Sequence, residues 1–192
     1  MTFFLWRSHV GPGHCTLNSP RVRGVGQMHA GLPFADQYDG KLVYAMSPLF
    51  PDDIMLSDNF SVAGQVIVSH ALKSHLQTSL GDHAIEYLQV TLHNHKGRVA
   101  SDNYFIVHPL GTVDCIDLDS SKVKWNPLAD KTITSCKGLV FKPGAVPASV
   151  KLFRPLYWGQ RVMVTQNFAD ELMGTGLTGL HFTAAEGFNG IS

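Results

Sequence analysis

Cysteine is scarce in this 192-residue chain, which carries only Cys15, Cys115 and Cys136. An odd number of widely spaced thiols excludes a disulfide framework and reads as the reduced cysteines of a cytoplasmic protein. Charge is also sparse. Charged residues make up 16% of the chain, and 15 Lys plus Arg balance 15 Asp plus Glu. No basic stripe is visible, which argues against nucleic acid as a partner. Long hydrophobic runs are missing too. The apolar patch in "MTFFLWRSHVGPGH" ends at Arg7 and His9, with no positively charged segment before it and no small-residue cleavage site after it. It reads as neither signal peptide nor membrane anchor, so no membrane partner is expected.

The chain is instead 44% hydrophobic, enough to bury a core in one domain or in two small halves sharing one. Residues 1–46 are rich in Gly, Pro and His and show no sustained period. They read as an extended or irregular N-terminal segment with a short strand at 41–46. Residues 47–192 read as the folded body, the whole forming one compact unit. Ser57, Asp58, Asn59 and Ser61 are capable caps for a first helix, and a 100° period from Ile67 puts Val68, Ala71, Leu72 and Leu76 on one arc, with Gly81 as the stop. "IEYLQVTL" and "NYFIVHP" flank "HNHKG" and read as a hairpin. Residues 122–147 read as loop with a strand at 138–142. Further strands are expected at 150–154, 161–165 and 180–184, with a second helix at 166–173 behind Thr165. The fold class is α+β: a mainly antiparallel sheet with two helices packed on it. "MLSDNFS" (55–61) and "MVTQNFA" (163–169) share Met, Asn and Phe in register, an echo that would make both segments helix openers.

Each chemically suggestive cluster has a plainer reading. His93 and His95 sit in a turn with no third metal ligand in view, so they read as solvated. Asp114, Asp117 and Asp119 in "DCIDLD" lack the alternate spacing, the glycine and the distal glutamate of a calcium loop. Their side chains are expected to satisfy loose backbone donors while Ile116 and Leu118 point inward. Cys115 would need His108 or His181 as a base to act as a nucleophile, and no local signature supports that. It reads as a small buried hydrophobe. His75 reads as a core histidine. "GTGLTG" ends a helix instead of opening one and is not a phosphate loop. No catalytic residue, metal or cofactor is assigned.

Two groups qualify as partner-binding residues. Asp52, Asp53 and Asp58 cluster near Phe50 and offer an acidic patch suited to a basic partner. Tyr157, Trp158 and Arg161 lie in the proline- and glycine-bounded "PLYWGQR", and these residue types anchor interfaces when exposed. The other reading of Trp158 folds it back onto the sheet.

The order of blocks carries a resemblance. Tyr104, Pro109, Leu110, Val113, Asp114, Ile116, Asp117 and Ser120 form a first block. Leu152, Phe153 and Arg154 form a second, and Leu172, Gly176, Thr178, Gly179 and Phe182 a third. Over residues 52–187 the chain resembles the bacterial immunity-protein family of polymorphic toxin systems, named after a myxobacterial immunity protein. His108 departs from the Asn that many relatives carry there, and residues 1–40 match nothing recognisable. The resemblance implies a non-enzymatic inhibitor that binds the C-terminal domain of a cognate secreted toxin, such as a type VI secretion effector. It also implies that the acids of "VDCIDLDSS" are scaffold. A secretion-system accessory or chaperone-like module is the main alternative, and a small metal- or thiol-dependent enzyme the lesser one.

Overall fold

In the computed structural model, residues 1–20, 24–129 and 131–191 are described. Residues 21–23, inside the stretch expected to be irregular, and residue 130, inside the expected loop, lie outside them. Thirteen strands and three α-helices are described. In chain order they are β1 (Phe3–Ser8), β2 (Leu17–Asn18), α1 (Val25–His29), β3 (Val43–Met46), β4 (Asn59–Val62), β5 (Gln65–Ser69), α2 (His70–Leu80), β6 (Ile85–His93), β7 (Val99–Pro109), β8 (Lys122–Trp125), β9 (Ile133–Lys137), β10 (Leu152–Phe153), β11 (Met163–Thr165), α3 (Gln166–Met173), β12 (Leu180–Ala184) and β13 (Gly190–Ile191). They build a six-stranded sheet ordered β2-β3-β6-β7-β5-β4, a four-stranded sheet ordered β10-β11-β1-β12 and a three-stranded sheet ordered β13-β9-β8. Among the described strands only β3 and β6 pair in parallel; the other strand pairs are antiparallel, in keeping with the α+β reading.

Side-chain alternation divides the interior into layers, because successive residues of a strand face opposite sides of the sheet. On β5, Val66 and Val68 face the helices, as do Phe105 and Val107 on β7. Trp6 and Val164 face the same layer from the four-stranded sheet, where they meet Leu72, Leu76 and Leu80 of α2 and Phe168 and Leu172 of α3. Ile67, Ile106, Leu88, Val90 and Leu92 point the other way, onto Met28 of α1, Phe34, Tyr44 and Leu17. On the outer face of the four-stranded sheet, Phe3, Leu5, Met163 and Phe153 pack on Cys115, Ile116, Ile133, Cys136 and Trp158. α2 and α3 are thus the filling between two sheets.

Several expectations hold. The β6–β7 hairpin turns at Asn94 and Gly97, where Gly97 N donates to Asn94 O (2.9 Å). α3 and β12 fall where their patterns place them. Others are corrected. The N-terminal segment is not simply irregular: Phe3–Ser8 is an interior strand, paired with β11 on one side and β12 on the other. A short helix, α1, also lies in that segment. The helix expected to open near Ser57 is α2, which begins only at His70 because residues 59–69 form a hairpin instead. The β-branched run Val66, Ile67, Val68 favours strand. The turn holds Ala63 and Gly64 at φ 48° and 78°, the pair of positive values that a two-residue hairpin turn of the favoured hand demands. Ser69 then caps α2, its Oγ accepting from Leu72 N (3.3 Å). The echo between residues 55–61 and 163–169 therefore joins a strand to a helix and marks no duplication. Residues 122–147 contain β8 and β9, while 138–142 contributes only the single bridge of Phe141 to Ile116.

Candidate interaction surface

After β3 the chain turns outward. Ser47 N donates to Thr16 O (2.8 Å), and Phe50 N and Asp53 N donate back to Ser47 O and Phe50 O (3.3 and 3.2 Å). At its far end, Met55 N donates to Gly13 O and Met55 O accepts from Cys15 N, both at 2.9 Å. From a third side, His95 Nε2 of the β6–β7 turn donates to Asp53 O (3.1 Å). Loop 49–55 is therefore held by its backbone while its side chains stay outside. Leu49 is 79% exposed, Phe50 52%, Ile54 63% and Met55 48%. Asp52 and Asp53 lie between Phe50 and Ile54. Isolated exposed apolar residues are ordinary, but four large ones within seven residues form the kind of patch that marks interaction sites.

The structure separates the sequence candidates. Asp52 and Asp53 stay in this loop with Phe50. Asp58 leaves the group, because its carboxylate is a structural clamp. Its Oδ2 accepts from Thr178 N (2.9 Å) and Thr178 Oγ1 (2.8 Å), and its Oδ1 from Ser69 Oγ (2.7 Å). Burial alone would raise its pKa, but these hydrogen bonds outweigh burial and hold it below the ordinary carboxylate value. Trp158 is 0% exposed in the layer beneath the four-stranded sheet, with Phe188 as ring neighbour, so it is no surface anchor. The second reading of Trp158 is the right one: the apolar face of the four-stranded sheet needed a large partner. Tyr157 is half-buried, at φ 67°, and its carbonyl accepts from Ile133 N (2.7 Å). Arg161 stacks its guanidinium over Trp158 at 5.5 Å, and burial lowers its pKa to about 10. These three residues brace the interior.

The remaining clusters resolve as scaffold. Asp117 accepts from Asp119 N (3.0 Å), Ser120 N (3.1 Å) and Ser120 Oγ (2.8 Å), closing the turn that follows Ile116. Asp114 pairs with Lys142 at 2.8 Å. The Cys115 thiol is fully buried, and burial pushes its pKa up to about 12, far from a nucleophile's range. The core histidine is His108, not His75. His108 is fully buried and donates from Nε2 to Leu32 O (2.8 Å), whereas His75 is partly exposed beside Glu171 at 3.2 Å. Among the described residues no group of three or more His, Cys, Asp or Glu is arranged to hold a metal, and no helix is long and apolar enough to cross a membrane.

The apolar part of the surface was only partly foreseeable. Phe50 and its acids stand out in the sequence, but nothing there singles out Leu49, Ile54 and Met55 until the backbone turns them out. The fold defines a scaffold that displays a loop. The model of the immunity protein family Imm11 matches residues 5–187, nearly the whole chain. This protein belongs to that family, and its role is that of an immunity protein. The match begins at residue 5, inside β1. No curated protein matches the chain.

Proposed function

We propose that the chain neutralises a cognate secreted antibacterial toxin by binding its C-terminal toxic domain, with loop 49–55 at the centre of the contact. The single observation that supports this reading is a backbone pinned from three sides that presents Leu49, Phe50, Ile54 and Met55 outward, with Asp52 and Asp53 between them in the chain. Preorganisation of this kind lowers the ordering cost of association. Apolar side chains supply the affinity as they leave water, while Asp52 and Asp53 favour a partner with basic groups nearby, as a nuclease would have. An interface of about 800 Å² on each partner is the ordinary size for such a complex. The inhibitor needs no chemistry of its own.

The test is co-expression with the C-terminal domain encoded by the toxin gene directly upstream, scoring growth and co-purification. Rescue together with a stable complex is the expected result, and Phe50→Ala should weaken that complex by at least about tenfold. Absence of both rescue and complex would overturn the proposed pairing with that toxin domain. Rescue unaffected by changes at Phe50, Asp52 and Ile54 would leave immunity intact and move the contact to another face.

A further inference from the structure

Behind α1 lies a cleft of about 390 Å³, lined among others by His29, Thr112, Lys131, Tyr157, Gly159 and Gln160. Among the described residues no carboxylate lines it. Its cationic character is stronger than its lining suggests. Arg154 is fully buried, and its Nη1 donates to the carbonyl of Gly159 in the cleft wall. Among the described residues, Arg154 Nε and Nη2 have no hydrogen-bond partner and no salt bridge reaches the guanidinium. A buried guanidinium ordinarily comes with an anion, because desolvation without a counter-charge is among the costliest arrangements a fold can contain.

Among the described residues, the neighbours do not supply one. His29 lines the cleft with its Nε2 buried and unpartnered, and burial together with the charges of Arg154 and His108 lowers its pKa to about 4. His108 is likewise lowered, by burial first and Arg154 after it, although its bond to Leu32 works the other way. Among the described residues, the acid that reaches this group is Glu86. Its Oε2 is 3.9 Å from His108 Nε2 but already accepts from Phe34 N (2.9 Å) and Ala35 N (3.1 Å). Two residues of the cleft, Lys131 and Tyr157, are also held at positive φ (51° and 67°), a conformation that non-glycine residues keep where the surroundings impose it, often at ligand sites.

We infer that this cleft binds a small oxyanion, a phosphate or a carboxylate, countered by Arg154 from behind its wall and by Lys131 at its mouth. The inference is independent of how the toxin is bound. Neutral donors from Thr112 and Gln160 complete a lining suited to oxygen ligands.

The test uses the full chain. Sodium phosphate and sodium acetate are titrated separately against sodium chloride at matched ionic strength, following the thermal midpoint and the His29 ring resonances. Either oxyanion should raise the midpoint saturably, and the His29 pKa should move up as negative charge arrives beside it. Lys131→Ala, at an exposed position, should fold normally and lose affinity for that ion by about tenfold or more. Saturation by phosphate alone or by acetate alone would support the site and name its ligand. A midpoint that follows ionic strength alone would overturn it. So would an unchanged titration in Lys131→Ala, which would mean an adventitious ion bound elsewhere.

Discussion

Trp158 and Phe50 are both large aromatics beside prolines or glycines, yet the fold puts one inside and leaves the other out. The difference predicts opposite consequences. Trp158→Ala should destabilise by about 3–5 kcal/mol in urea unfolding, the usual cost of emptying an aromatic site in a core. Phe50→Ala should change stability by less than about 0.5 kcal/mol while weakening the toxin complex. Asp58 belongs with Trp158 among the structural residues. Its folded pKa lies below the ordinary value, so the protein binds this proton less readily when folded than when unfolded. Its contribution is therefore present in full above the unfolded carboxylate pKa of about 3.9 and lost as pH falls through the lower folded value. Asp58→Asn should cost about 1–3 kcal/mol at neutral pH and flatten the acid limb of a stability–pH curve. The sequence shows that Asp58 is acidic and near Phe50. It cannot show that Thr178, 120 residues later, occupies the carboxylate.

Among the elements, those built from local signals were legible. The β6–β7 hairpin has turn residues between two apolar runs, and α3 is a short amphipathic segment that stops at Gly174. The β4–β5 hairpin was not, because Ile67, Val68, Leu72 and Leu76 satisfy a helical arc as well as a strand followed by a helix. Only the burial of Val66 and Val68 on one side and Ile67 on the other separates the two readings. β8 and β9 were missed for a different reason: Lys122, Lys124 and Lys137 hide a three-stranded sheet behind polar side chains. The connection from β10 to β11 depends on close approach. A Cβ on Gly159 would lie 1.6 Å from the His29 carbonyl oxygen, so α1 rests directly on that backbone. Gly159→Ala should shift α1 and cost about 1–3 kcal/mol, measurable as a drop in thermal midpoint.

Across the whole molecule, α2 and α3 share one core layer with both larger sheets, so neither of those two sheets can lose its packing alone. Leu5→Ala in the four-stranded sheet and Leu76→Ala in α2 should therefore lower the same single unfolding transition, each by about 2–5 kcal/mol. Separate transitions in near- and far-ultraviolet circular dichroism would contradict that coupling. Fold class was readable from the sequence because alternation and turn chemistry are local. The layering was not, since it rests on β1 meeting β11 and β12 across most of the chain's length.

That long-range pairing sets a timetable for synthesis. A ribosome releases residues 3–8 about 150 residues before their partners in β11 and β12 emerge, a wait on the order of ten seconds at ordinary elongation rates. Throughout it, the most apolar stretch of the amino terminus has nothing to pair with, and half of the sandwich around α3 does not exist. Protection by this protein therefore begins only when its last strands are made. The immunity role thus rests with molecules completed earlier, not with those still being translated.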